Sequence, residues 1–299
     1  MVRILVVGLL PYDSGKTEFV LALGEKLKEQ GYRPGYFKPV AGHDGWYQYD
    51  TLLYSRDEKL LIGHDAYLVS ERFGLTDILY LVSPLDLLTL PVDPVKPGMT
   101  IRSYIEHMSL VGKRAVLLRY TRVFNDKSNY KHLYFICNDT LAKLNNELRS
   151  VYEDLVMNFK NSNSLFIETN TNSIEKMLSS PAIYGVIDSY IEFFREYEPV
   201  IIEGYNDVAA PTIGSLNVDY VFLIGPGKAI VYSGERYRTA VELLSYRGYP
   251  WMIKSTTVFD LLGKPLRTYD IPLKVYVNRY HGLFENIAEF IMGGDNYYG

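Results

Sequence analysis

The sequence predicts an α/β fold built on a doubly wound, mostly parallel sheet. Short runs of aliphatic and β-branched residues alternate with amphipathic segments whose apolar residues recur every three or four positions. This alternation is clear at both ends of the chain, and it is typical of parallel strands covered by helices on both faces. The stretch from 97 to 180 is less regular. We interpret residues 1–299 as one domain, with 97–180 as an inserted or remodelled middle region.

The first elements form a strand, a loop, a helix and a second strand. Arg3–Val7 is an apolar run that ends at Gly8, which predicts a buried strand. Residues 17–30 carry apolar side chains at helical spacing and predict an amphipathic helix. A second short strand is predicted at Gly35–Phe37, directly before Lys38.

The later elements are predicted from the same two periodicities. In the middle of the chain we expect partly helical segments at 50–54 and 67–81, and a proline-rich loop or extended segment at 82–99. We also expect a hairpin or two sheet strands at 115–122 and 132–137, a helix at 141–160 and a strand at 164–168. Towards the end we expect a helix at 183–196, strands at 199–204 and 219–224, a helix at 235–247, a strand at 274–278 and a helix at 283–291.

Composition narrows the choice of partners and compartment. Of the 299 residues, 47% are hydrophobic and 22% are charged, which predicts a packed core. The net charge of −4 argues against a general nucleic-acid binder. The sequence lacks an apolar run of the ~20 residues that a membrane helix needs, and its apolar start is interpreted as a strand, not a signal peptide. A lone cysteine, Cys137, fits a reducing cytosol, so we expect a cytoplasmic protein.

The loop after the first strand is the main functional signal. Gly15-Lys16-Thr17 opens the first predicted helix, which is the setting of a phosphate-binding loop. In such a loop, backbone N–H groups and the lysine hold phosphates, and the hydroxyl ligates Mg²⁺. The strict pattern leaves four residues between its glycines. Here Leu10 stands at the expected glycine position and Gly8 lies two positions earlier, so a purely structural turn is the alternative.

Two further stretches extend the signal into a family resemblance. The loop, the helix and the strand end Gly-Tyr-Phe-Lys-Pro-Val together resemble dethiobiotin synthetase and the related cobyrinate amide synthases. Asp13 matches that family's acidic position two residues before the glycine of Gly-Lys-Thr, and Pro199–Gly204 is similar to its strand ending in Glu-Gly. The resemblance covers the first fifty residues and part of 199–230. It implies a P-loop NTPase-like fold, bound ATP or GTP with Mg²⁺, and a homodimer.

The matched residues are assigned roles accordingly. Lys16 would neutralise the phosphate charge, and Lys38 would steady either the γ-phosphate or a small anionic substrate. Glu203 ends a buried strand, where a carboxylate is costly unless it meets a cation or hydrogen-bond donors, so it would hold the metal or position water. The residues expected to contact nucleotide are Gly8, Asp13, Ser14, Gly15, Lys16, Thr17 and Asn278.

Three oxygen-bearing side chains are candidate Mg²⁺ ligands. Thr17 and Glu203 come from the loop and from the Glu-Gly strand, and Asp50 resembles the aspartate that follows Lys-Pro in the family. Asp44 is a rival to Asp50. Mg²⁺ commonly takes one or two carboxylates together with phosphate oxygens, which this set would supply.

We therefore predict a Mg²⁺-dependent ATP- or GTP-binding protein with NTPase activity, or ligase activity on a small carboxylate. A nucleotide-controlled switch that binds a protein partner is one alternative. A degenerate P-loop fold without turnover is another, favoured by the displaced Gly8.

Overall fold

The computed structural model describes residues 1–96, 98–272 and 281–293. The fold is α/β, with two mixed sheets. The chain divides into two compact units, the first made of Met1–Pro39, Leu68–Ile78 and Tyr184–Gly299, and the second of Val40–Tyr67 and Leu79–Ile183. All of the predicted insertion, 97–180, lies in the second unit, and its origin as an insertion stays a prediction.

The strands and helices follow in chain order. The strands are β1 (Arg3–Gly8), β2 (Gly35–Phe37), β3 (Val40–Asp44), β4 (Leu85–Thr89), β5 (Ala115–Val123), β6 (Tyr130–Cys137), β7 (Ser164–Thr169), β8 (Val200–Glu203), β9 (Tyr220–Gly225), β10 (Lys228–Ser233) and β11 (Arg267–Asp270). The α-helices are α1 (Lys16–Glu29), α2 (Asp50–Asp57), α3 (His64–Phe73), α4 (Leu79–Val82), α5 (Ile101–Ser109), α6 (Asn138–Leu141), α7 (Asn146–Asn158), α8 (Thr171–Met177), α9 (Pro181–Ser189), α10 (Gly234–Leu243), α11 (Ser255–Leu262) and α12 (His281–Met292).

The first unit is built on the sheet β11-β10-β9-β1-β8-β2. Strands β9, β1, β8 and β2 are parallel, whereas β10 and β11 return antiparallel. The predicted α/β class is confirmed, but the described residues form two mixed sheets, and the doubly wound arrangement stays a prediction. The reversal after β9 has a local cause: Gly227 adopts a φ of 76°, which closes a tight turn between β9 and β10.

The second unit is built on the sheet β3-β4-β5-β6-β7. The predicted strand pair at 115–122 and 132–137 is confirmed as the antiparallel pair β5 and β6. The predicted loop or extended segment at 82–99 contains an extended strand, β4, which is buried at all five positions. Pro84 and Pro91 flank this strand without interrupting it, so they mark its limits.

Most predicted helices form, with shifted ends. Helix α1 buries its predicted apolar face, including Phe19, Val20, Leu23 and Leu27. Helix α7 starts later than predicted, because the Asn145 side chain accepts a hydrogen bond from the Leu148 amide and caps it there. The predicted strand at 274–278 lies outside the described residues. Within the described residues, no helix is long and apolar enough to cross a membrane.

A fully buried charged residue, Arg119, lies in β5 of the second sheet. The fully buried Arg119 guanidinium donates hydrogen bonds to the carbonyls of Leu61 and Ser83 and to the Thr121 hydroxyl. The Thr121 hydroxyl also lies 2.9 Å from His132 Nδ1. Burial, and next the charge of Arg119, lower the pKa of His132 from 6.5 to about 3. His132 is therefore neutral in the folded protein at neutral pH.

A pH dependence of stability follows from His132. Between pH 6.5 and about 3 the unfolded chain binds a proton at this residue and the folded chain does not, so folding stability is lost as the pH falls. We expect the unfolding free energy of His132→Asn to fall less steeply with acidification than that of the wild type, by up to about 1.4 kcal/mol per pH unit. Urea unfolding across this range measures the slope. Parallel curves for the two proteins would contradict the assignment.

Two glycines of the first unit provide a test of its packing. A Cβ on Gly234, at the start of α10, would overlap the backbone carbonyl of Val218, whereas a Cβ on Gly185 in α9 meets nothing within 4 Å. We expect Gly234→Ala to destabilise the protein by about 3 kcal/mol through overpacking. As the matched control, Gly185→Ala should stabilise it by roughly 0.5–1 kcal/mol because it is a helix-interior site. Chemical denaturation measures both, and equal effects would contradict the described packing.

Candidate phosphate-binding site

The loop between β1 and α1 ends in a left-handed turn that leads directly into the helix. Asp13 has a φ of 51° and Gly15 a φ of 88°. Gly15 is the N-cap of α1 and has no side chain with which to cap the amides of the first helical turn. Such amides have no partner inside a helix, and they lie at the positive end of its dipole. The turn therefore presents the groups that bind anions in phosphate loops.

Gly8 makes room for the loop lysine. The Lys16 ammonium donates hydrogen bonds to Ser14 Oγ at 3.2 Å and to the Asn206 carbonyl at 2.9 Å. A Cβ on Gly8 would collide with Ser14 Oγ and lie 2.8 Å from Lys16 Nζ. Gly8 is thus required because the lysine folds back over the end of β1, although Gly8 does not match the standard spacing of the motif.

Glu203 is the centre of a second group of side chains. It is fully buried at the end of β8, and its Oε1 accepts hydrogen bonds from Lys38 at 2.8 Å and from the Thr17 hydroxyl at 3.4 Å. Its Oε2 accepts from the Tyr36 hydroxyl at 2.8 Å. The structure therefore brings together three side chains that the sequence singled out, Thr17, Lys38 and Glu203.

Tyr36 is a site residue that sequence reasoning missed. It is fully buried in β2 and contacts Glu203 through its hydroxyl. One signal was available, since residues two apart in a strand lie on the same face and Tyr36 is two positions before Lys38.

The order of the parallel strands explains why these residues meet. Strand β8 lies between β1 and β2, and all three run in the same direction. Their carboxyl ends therefore share one edge of the sheet, where Gly8, Lys38 and Glu203 are found. Residues almost two hundred positions apart in sequence become neighbours in this way.

The oxygen atoms at this edge of the sheet are of the type that binds Mg²⁺. Thr17 supplies a hydroxyl 3.4 Å from a carboxylate oxygen of Glu203, and phosphate oxygens and water usually complete the coordination of this ion. In the part of the chain that the structure describes, no three His, Cys, Asp or Glu side chains are grouped to hold a metal by themselves. A metal here would depend on the phosphates of a ligand.

The other predicted metal ligands have partners within the second unit. Asp50 Oδ2 lies 2.6 Å from His64 Nδ1. Asp44 pairs with Arg114 and accepts a hydrogen bond from the Trp46 amide. A role for Asp50 in binding Mg²⁺ stays a prediction. Asn278, predicted to contact the base, lies outside the described residues.

A segment after Glu203 also touches the loop, which sequence reasoning did not anticipate. The Asn206 carbonyl accepts from Lys16, and Asn206 itself has a φ of 45°. Ser255 joins the same region, because its hydroxyl donates to the Gly8 carbonyl and its amide donates to the Asp207 carbonyl at 2.7 Å. Nothing in the local pattern of residues 205–210 or 253–255 indicated these contacts.

Comparisons of this chain with protein-family models, with curated proteins and with solved structures found no match. The resemblance to dethiobiotin synthetase is carried by the quoted residues alone, and it stays a prediction.

The buried pair of Lys38 and Glu203 can be tested by a double-mutant cycle. Lys38→Met leaves a buried carboxylate without its cation, which should cost about 3–5 kcal/mol of unfolding free energy. Glu203→Gln leaves the ammonium without its counter-charge and should also destabilise the protein. The double variant Lys38→Met/Glu203→Gln removes both charges, so its cost should be clearly smaller than the sum of the two. Strict additivity in urea unfolding would show that the pair is not coupled.

Proposed function

We propose that this protein binds ATP or GTP with Mg²⁺ at the loop from Gly8 to Thr17 and promotes attack on the γ-phosphate. The observation that carries the proposal is the position of the Lys16 ammonium. It lies over the end of β1, beside the start of α1, and it donates hydrogen bonds to Ser14 Oγ and to the Asn206 carbonyl. Phosphate oxygens would attract this ammonium more strongly than these two neutral oxygens do, because they carry the opposite charge.

Some residues at the site would bind the phosphates, and others would help to neutralise their charge. Lys16 and the first-turn amides of α1 would hold the β- and γ-phosphates. The Thr17 hydroxyl and the Glu203 carboxylate are the oxygens placed to hold Mg²⁺, which when bound would neutralise charge on the transferred phosphoryl group. Lys38, buried against Glu203, would hold that carboxylate in its orientation. The parallel strands β2, β8, β1 and β9 support a P-loop NTPase-like arrangement of this unit.

Two outcomes of γ-phosphate attack are consistent with these residues. In a ligase, an oxygen of a small carboxylate attacks the γ-phosphorus, the nucleoside diphosphate leaves, and an acyl phosphate forms. In simple hydrolysis water attacks, and inorganic phosphate and a proton are released. The ligase version rests on the family resemblance. A homodimer and a cytoplasmic location also stay predictions.

A second candidate, a nucleotide-controlled switch, is favoured by the contact of Lys16 with Asn206. A γ-phosphate would compete with the Asn206 carbonyl for this ammonium, so loading would weaken the contact that holds the segment after Glu203. Nucleotide binding would then change the surface that this segment presents to a partner protein.

Ligand-dependent thermal unfolding tests nucleotide binding. ATP·Mg²⁺ or GTP·Mg²⁺ at a hundred times its Kd should stabilise the protein by about 2.7 kcal/mol, seen as a raised Tm. Lys16→Ala should lose most of this stabilisation. Lys264→Ala removes the same charge from an exposed position of the same unit and should keep it. An equal rise in Tm in all three proteins, or no rise in the wild type, would contradict the proposal.

Measurements of nucleotide turnover then distinguish a ligase from a switch. A ligase should release phosphate only when its carboxylate substrate is present, so a panel of small mono- and dicarboxylic acids should contain at least one activator. A switch should hydrolyse nucleotide slowly whatever acid is added. Its hydrogen exchange at residues 205–210 should differ between the triphosphate and diphosphate states.

A further inference from the structure

A cavity of about 580 Å³ lies in the first unit, and none of its lining residues belongs to the loop from Gly8 to Thr17. Its walls come from the turn at 213–217 before β9, from helix α10 and from residues 245–250 after that helix. The lining includes Ile213, Asn217, Arg238, Glu242, Tyr249 and Pro250. The volume is in the range of sites for small molecules.

Tyr249 forms a fixed aromatic wall of this cavity. Its ring stacks on that of Trp251, with the ring centroids 4.6 Å apart and the planes inclined by 6°. Trp251 is only 7% exposed, and it in turn meets the Tyr184 ring of α9 edge-on at 4.5 Å. One face of the Tyr249 ring is therefore covered, while 42% of the residue stays exposed. An apolar group can pack on the exposed part at little entropic cost, because Trp251 already holds the ring in place.

Ile213 supplies a second exposed apolar surface. It is 51% exposed, whereas Leu216 and Val241, which also line the cavity, are 5% and 3% exposed. The apolar contacts offered to a ligand thus come from Ile213 and Tyr249, and hardly at all from the two buried residues. Covering the two exposed side chains with the apolar body of a ligand removes them from water, which favours binding.

A cation and an anion lie side by side in the same lining. The Arg238 guanidinium, on α10, is 3.9 Å from a carboxylate oxygen of Glu242 one turn later, and its Nη1 donates to Asn217 Oδ1 at 3.4 Å. Both distances are near the outer limit for such contacts. The side chains of the ion pair are 43% and 67% exposed, so the pair contributes little to stability. A ligand with charges of its own can therefore replace these contacts without a large loss.

The two charges restrict the class of ligand. A lone anion would meet Arg238 but lie next to Glu242, and a lone cation would meet Glu242 but lie next to Arg238. Like charges placed together disfavour binding, so a zwitterion suits the lining better than either ion. An α-amino acid carries its carboxylate and its ammonium on the same carbon, which suits two protein charges only 3.9 Å apart.

We propose that this cavity binds a zwitterionic α-amino acid with a large apolar side chain. The carboxylate of the ligand pairs with Arg238, its ammonium pairs with Glu242, and its side chain packs against Tyr249 and Ile213. The site is separate from the proposed nucleotide site, and its test does not involve nucleotide.

Three probes of similar shape test the ligand class: phenylalanine, phenethylammonium, which lacks the carboxylate, and phenylpropionate, which lacks the ammonium. Binding to the full chain is measured by calorimetry and by the NMR shift of the amide of Gly248, which also lines the cavity. Phenylalanine should bind at least about fivefold more tightly than either analogue, because each analogue loses one charge pair with the protein. Equal binding of the three probes, or no binding of phenylalanine, would overturn the proposal.

Charge-removing variants assign each pair. Arg238→Gln should abolish the preference for phenylalanine over phenethylammonium, because the carboxylate then has no cationic partner. Glu242→Gln should abolish the preference for phenylalanine over phenylpropionate. Arg236→Gln is the matched control, since Arg236 is on the same helix but is not among the lining residues, and its guanidinium donates to the Lys264 carbonyl. Both preferences should be unchanged in this control.

The variant Tyr249→Ala tests the aromatic wall. It should weaken the binding of all three probes alike, by about fivefold, because each of them carries the same ring. Unchanged preferences in Arg238→Gln or Glu242→Gln, or unchanged affinities in Tyr249→Ala, would each contradict the proposal. The comparison of the three probes on the wild type is decisive even if a variant fails to fold.

Discussion

The ion pair between Lys38 and Glu203 is the interaction on which the candidate nucleotide site depends. Both side chains are buried, so each charge is tolerable only because the other is 2.8 Å away and because Tyr36 and Thr17 supply further hydrogen bonds to the carboxylate. The pair joins β8 to the end of β2, and through Thr17 it reaches the first turn of α1. A group with so many constraints has few alternative arrangements. The loop from Gly8 to Thr17 is therefore connected, through Thr17, to a buried ion pair.

The loop itself is tied to a different part of the chain. Lys16 contacts Asn206, and Ser255 contacts the carbonyl of Gly8, so that segments on either side of β9 and β10 meet at the end of β1. A ligand that draws Lys16 away from Asn206 acts directly on this connection. Under the proposed function, phosphate would compete with this carbonyl for the ammonium in both catalysis and switching.

Sequence reasoning succeeded where the deciding physics is local. Strand β1, helix α1 and strand β2 were recognised because their apolar periodicity and glycine stops lie within a few residues. At β4 the flanking prolines left a loop and an extended segment as alternatives, and the sequence did not decide between them. Sequence reasoning failed at the number and direction of strands, because the turn at Gly227 reverses the chain and β3 joins another sheet. Which strands pair with one another depends on contacts between distant segments, and no single segment encodes these contacts.

The amino-acid order alone determined the chemistry offered by the loop: a glycine turn, a lysine and a hydroxyl at the start of a helix, with a lysine and a glutamate at two later strand ends. Only the tertiary structure decided that Glu203 pairs with Lys38, that Tyr36 joins them, and that Lys16 folds back onto Asn206. The physical reason is separation along the chain. Lys38 and Glu203 are 165 positions apart and Lys16 and Asn206 are 190 apart. Such groups meet only because parallel strands align their carboxyl ends at one edge of a sheet.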